Sequence, residues 1–69
     1  MRERLEALVQ ELVERGVYYD DARREFERRF IQKALRKAGG SLSGAAALMG
    51  IHRNTLSRKM TEYKLHGQK

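Results

Sequence analysis

Residues 41–63 read Ser41-Leu-Ser-Gly-Ala-Ala-Ala-Leu-Met-Gly-Ile-His-Arg-Asn-Thr-Leu-Ser-Arg-Lys-Met-Thr-Glu-Tyr63, and this stretch decides the fold. Ser41 is a good N-cap, because its hydroxyl can accept an N–H that the first turn leaves unpaired. It predicts a short helix over about Leu42 to Met49. Gly50 then supplies the left-handed backbone that ends a helix, and Ile51 follows as an apolar plug. A second helix starts near His52 or Arg53 and runs to about Tyr63. Two helices joined by so tight a turn form a helix-turn-helix. Its helices cross closely, so a small residue is needed four before the turn glycine, and Ala46 stands there. Ala45, Met49, Ile51 and Leu56 fall where the motif needs apolar side chains, and Met60 and Tyr63 extend that side. The opposite side carries Arg53, Asn54, Ser57, Arg58 and Thr61, with Thr55 near the helix start. Such a face can donate and accept hydrogen bonds, as contacts to phosphates and base edges require.

Working back, Gly39-Gly40 stops a longer helix in which Ala22, Phe26, Phe30, Ala34 and Ala38 recur every four residues. Ile31 and Leu35 widen that stripe. Asp20 or Asp21 is expected to cap it, and Asp20–Arg24 and Glu25–Arg29 are acid-before-base pairs at i,i+4. The interleaved Arg23, Arg24, Arg28 and Arg29 read as a solvated mixed-charge face. Val17, Tyr18 and Tyr19 form a connection, its tyrosines expected to pack on neighbouring apolar surface. Before it, Leu5, Leu8, Val9, Leu12 and Val13 make one stripe of a helix over about Arg2 to Arg15, ended by Gly16. No run has period-two alternation, so no strand is expected. The reading is an all-α fold of four helices in one domain over 1–69. Residues 1–38 form a helical hairpin, and 41–65 the helix-turn-helix.

A 69-residue chain has a marginal core, and small domains add disulfides, metals or a second copy. There is no cysteine. His52 and His66 are the only histidines and no carboxylate pair joins them at ligand spacing, so neither metal nor cofactor is expected. Oligomerisation remains. Two hairpins packed together make a four-helix bundle, with Leu5, Leu8, Val9, Leu12, Val13, Phe26 and Phe30 as the homodimer contacts. The alternative is that both stripes pack onto the C-terminal helices of their own chain.

Net charge is +6, and its distribution is uneven. Residues 1–38 balance ten Lys/Arg against eight Asp/Glu, residues 39–51 carry none, and residues 52–69 hold five against Glu62 alone. The basic end suits a polyanion. No apolar run reaches membrane-spanning length and Met1 to Glu6 holds no signal-peptide core, so a bacterial or archaeal cytoplasm is expected and a membrane is not. No Ser or Thr has a His/Asp partner for nucleophilic catalysis, and so small a fold encloses little pocket, which argues against an enzyme.

From about Phe26 to Leu65 the chain strongly resembles the Fis-type DNA-binding domain. This is the module of the nucleoid protein Fis and of the C-terminal end of NtrC-class activators. Glu27 to Leu35, Gly40, Ala45-Ala46, Leu48 to Ile51, Arg53, Thr55-Leu56, Arg58-Lys59 and Tyr63 to Leu65 carry the resemblance. It implies an all-helical homodimer that sets paired recognition helices into adjacent major grooves of bent double-stranded DNA. Arg53 would be the principal base-reading arginine, with His52, Asn54, Thr55, Arg58 and Lys59 as further contacts and Ser41 and Ser43 on phosphates. Ser41 replaces a frequent asparagine, and Ser57 stands where Fis has a basic residue, which implies a looser grip on phosphates. The expected role is a transcriptional regulator or nucleoid-associated protein, with the transcription machinery as a further partner. A start at Met1 favours a free-standing protein over the C-terminal domain of an activator. The rival of another class is a helical protein–protein adaptor with a vestigial helix-turn-helix.

Overall fold

In a computed structural model, which describes residues 1–65, four helices follow one another: α1 (Arg2–Glu14), α2 (Tyr19–Lys37), α3 (Leu42–Met49) and α4 (Arg53–Glu62). His66 lies outside the described residues, and no strand occurs among those described. The all-α expectation holds, and the bounds of α3 and α4 agree with those read from caps and glycines.

All four helices end by the same device. In each, one residue of positive φ donates its N–H three residues back, and the next donates five back. The pairs are Gly16 to Val13 with Val17 to Leu12, and Gly39 to Arg36 with Gly40 to Leu35. Gly50 to Ala47 with Ile51 to Ala46, and Lys64 to Thr61 with Leu65 to Met60, complete the set. This double bond satisfies carbonyls that a helix end leaves unpaired. Three of the reversals use glycine. The fourth uses Lys64 at φ 58°, where a Cβ crowds the following carbonyl. Lys64→Gly should therefore raise stability by about 1 kcal/mol, shifting the midpoint upward by roughly 4–8 °C in thermal unfolding at fixed chain concentration.

The core belongs to α2, α3 and α4. Ile31, Ala34 and Leu35 meet Ala45 and Ala46 of α3 and Leu56 and Met60 of α4, with Met49, Ile51 and Leu65 packed at the margin. Ile31, Leu35 and Leu56 are fully buried, and a side chain so placed contributes about 1.5–3 kcal/mol. Ala46, 3% exposed, sits where α3 and α4 cross and leaves no room for a larger group. Gly44 has a second steric role: a Cβ there would lie 3.2 Å from Ala38 Cβ and 3.3 Å from Ser41 Oγ. Its hydrogen lets the end of α2 approach the first turn of α3.

Two expectations need correction. The first concerns the start of α2, where the capping residue is Tyr18, extended at φ −69° and ψ 145°, with no side-chain cap bond. Asp20 and Asp21 sit inside the first turn, where they complement the helix dipole instead. Asp20 accepts from Arg23 at 2.9 Å, three residues on, rather than from Arg24. Glu25–Arg29 forms as expected at 3.2 Å. The second concerns the tyrosines: Tyr18 and Tyr19 are 78% and 82% exposed and pack on nothing within the chain.

The first helix, α1, stands outside that core. None of its residues is buried, and its apolar stripe stays open beside α2 within the single chain. An open trough of about 810 Å³ separates them, lined by Leu8, Leu12, Val17, Phe26, Phe30 and Leu48 among others. Nor do the stripes pack onto the C-terminal helices of their own chain, since Leu5, Leu8, Val9, Val13, Phe26 and Phe30 all remain exposed. Phe26 and Phe30 stack on each other at 5.5 Å between ring centroids, with their outer faces bare.

Candidate nucleic-acid interface

The site is assembled from the first turns of α3 and α4. Ser41 caps α3 by accepting the Gly44 N–H at 3.0 Å, so its hydroxyl is engaged before any ligand arrives. Ser43 lies within the first turn at the same end, and its Oγ accepts from Arg53 Nη1 at 3.5 Å. That long contact spans the two helices and steadies an exposed guanidinium at the start of α4.

His52 is the N-cap of α4. Its Nδ1 accepts the Asn54 N–H at 2.9 Å, which requires the neutral ring with its proton on Nε2. The exposed imidazole therefore offers a donor outward, toward phosphate or a purine acceptor. Capping and an outward contact do not compete at this residue, because they use opposite ring nitrogens.

Along α4, Arg53, Asn54, Ser57, Arg58 and Thr61 are all exposed and share a face. Thr55 is half-buried. Thr61 returns its hydroxyl to Ser57 O at 3.2 Å, so it is satisfied within the helix. Arg58 has no carboxylate partner among the described residues, and neither has Arg53. Two unneutralised guanidiniums thus stand one and a half turns apart on an open surface. The structure brings Ser43 to Arg53 and His52 to Asn54 at the start of α4, with Arg58 further along the same exposed face.

Lys59 stands apart from them. It follows Leu56 by three residues and precedes Tyr63 by four, which turns it toward α2. Its Nζ lies 3.3 Å from Glu27 Oε2, and both side chains are largely covered. Glu27 also accepts the hydroxyl of Tyr63 and lies 3.5 Å from Arg23 Nη1. Tyr63 is thus tied into the α2–α4 joint and is no stacking platform for bases. The Tyr63 hydroxyl, followed by Lys59 and Arg23, holds the Glu27 carboxyl below the usual carboxylate range against the opposing effect of burial. The same bond raises the Tyr63 phenol. A depressed carboxyl contributes stability above its unfolded value and loses it only on acidification, so this joint is intact at neutral pH.

Glu27 is the residue that reading the sequence for function missed. It falls among the arginines of α2 as one more charge in a mixed run, and its partners lie 32 and 36 positions away. Of that run, Arg23 and Arg29 are paired, while Arg24 and Arg28 have no carboxylate partner among the described residues. Among the described residues no cluster of His, Cys, Asp or Glu is placed to hold a metal, and no helix is long and apolar enough to cross a membrane.

With this geometry in view, comparison with known proteins is direct. The family described as bacterial regulatory protein, Fis family, matches residues 22–63, which is most of α2 and all of the helix-turn-helix. A protein of Xylella fastidiosa, provisionally described as a Fis-like DNA-binding protein, is 45% identical over 47 residues. Those residues are 68% of this chain and 52% of that protein, so the chain spans about half the length of the curated relative it matches. No solved structure matches significantly. The matched segment contains the whole buried core, the Glu27 joint and the polar face of α4. The chain belongs to the Fis family of bacterial regulatory proteins, and its α3–turn–α4 unit is a helix-turn-helix DNA-binding domain.

Proposed function

We propose that the chain acts as a homodimeric transcriptional regulator or nucleoid-associated protein on the bacterial chromosome. Two copies of α4 enter adjacent major grooves of bent duplex DNA. Arg53 reads a guanine edge through its paired N–H groups. Asn54, Thr55 and Arg58 make further base or backbone contacts, with His52 donating from Nε2. Ser43 and the capped end of α3 meet a phosphate, where helix N-termini favour anions. The observation that carries this reading is the unpaired, exposed Arg53–Arg58 face on a family-matched helix-turn-helix.

Support for the dimer comes from surface left uncovered. The accessible area is 5853 Å², whereas a compact monomer of this mass exposes about 4,500 Å². The difference is comparable to one side of an obligate dimer interface. Leu8, Leu12, Phe26 and Phe30 line the trough that a second copy would fill, and Leu5, Val9 and Val13 are exposed on the same helix, α1.

The test is a titration against random duplex and against a degenerate, two-fold symmetric A/T-centred site at several salt concentrations. A steep log–log salt slope is expected, with at least ~10³-fold preference for a true site if the protein is a sequence-specific regulator. A steep slope without preference identifies a nucleoid-compacting protein. No binding at physiological salt overturns both and leaves the adaptor reading.

A further inference from the structure

The recognition helix of this domain has an acidic residue behind it. Glu27 reaches from the middle of α2 to Lys59 Nζ at 3.3 Å and to the hydroxyl of Tyr63, at the C-terminal end of α4. It therefore grips α4 at two points one turn apart, while Leu56 and Met60 hold the same helix through apolar contact. Arg23, at 3.5 Å from Glu27 and 2.9 Å from Asp20, steadies the carboxylate from its own helix.

We propose that Glu27 is a specificity-determining positioning residue, which fixes the angle of α4 and keeps the Lys59 ammonium away from the DNA backbone. This rests on the DNA-binding reading above. A lysine beside the recognition face would attract any phosphate, whatever the base sequence. Paired with Glu27, its charge is neutralised locally, and the exposed Arg53 and Arg58 dominate the encounter. The joint thus removes one indiscriminate contact and orients the discriminating ones. The side chains of Lys59 and Glu27 are 33% and 25% exposed, so the pair is sheltered enough to persist without being sealed from solvent.

Glu27→Gln in the full chain isolates the charge while keeping the side chain's size. Random-duplex affinity of the dimer should rise about twenty-five- to hundredfold at 0.1 M salt, and the log–log salt slope should steepen by about 1.8, one phosphate contact from each of its two chains. Lys59→Gln should barely change random-duplex affinity in the wild type yet return the Glu27→Gln protein to the wild-type slope. A merely structural role would not give that pattern of reversal. A Lys59→Gln loss in the wild type as large as that of Arg58→Gln would overturn the proposal, as would an unchanged slope in Glu27→Gln. Amide exchange of the free protein provides a readout that does not need DNA. Residues 60–63 should exchange faster in Glu27→Gln while the amides of Ile31 and Leu35 stay protected, and equal exchange at 60–63 rejects the positioning role. Absence of binding by the wild type would count against the DNA reading itself, whereas the exchange result still decides what Glu27 does.

Discussion

Placing glutamate at both Val9 and Val13 is expected to convert the protein from two chains to one in sedimentation equilibrium. These positions are 49% and 71% exposed in the single chain, and α1 supplies nothing to the α2–α4 core. Their charges therefore cost little inside one chain but would be buried unpaired against a second copy, where an uncompensated charge is strongly unfavourable. The consequence for DNA is larger than for mass. A dimer on a two-fold site gains its second half-site at high effective concentration, worth about 10²–10⁴ in affinity. Binding to a symmetric duplex should fall by that factor, whereas binding to an isolated half-site should change little. A variant that stays dimeric would show that the α1 stripe is not the interface. Circular dichroism guards the interpretation, since α2–α4 must remain helical for the comparison to hold.

Arg53→Ala is expected to abolish sequence preference while sparing most non-specific binding. A bidentate arginine–guanine contact discriminates by about 1–3 kcal/mol per half-site, so two half-sites together lose roughly thirty- to twenty-thousand-fold on a cognate duplex. Random duplex loses only one positive charge per chain, and the dimer's salt slope should flatten by about 1.8. Arg53 is exposed, and among the described residues its side chain makes one hydrogen bond, the 3.5 Å one to Ser43, so folding should be nearly unaffected. Equal losses on cognate and random duplex would make Arg53 a phosphate contact and shift base reading to Asn54 or Arg58. Glu27→Gln is expected to lower preference by the opposite route, through stronger random binding, so the two variants separate lost reading from gained stickiness.

The helix-turn-helix was legible because its determinants are close in sequence. Ser41 bonds three residues on, His52 two residues on, and Gly50 closes its own turn. A short polar side chain beside a free N–H, or a glycine where φ must be positive, acts over one helical turn, so the sequence alone carries that geometry. The same locality made Ala46 and Leu56 readable as crossing and core positions. It failed at the start of α2, where Asp20 and Asp21 looked like caps but the chain entered the helix earlier, at Tyr18. Backbone direction out of the Gly16 turn settled that boundary, and no side-chain propensity records it.

Lys59 and α1 mark the limit of what periodicity determines. Lys59 sits at the border between the buried and open faces of α4, and a 3.6-residue repeat cannot say which way a long flexible side chain will turn. Glu27 turns it, across 32 residues of chain, because a half-covered carboxylate favours the nearest cation. The stripe of α1 likewise stated that apolar surface must leave water, without stating against what. The sequence by itself therefore determined the helices, the glycine-closed ends of α1, α2 and α3 and the polar face of α4, all through interactions within a turn or two. The tertiary structure alone decided which cations that face keeps and which apolar surface stays open, because both depend on which distant groups meet once the helices have packed.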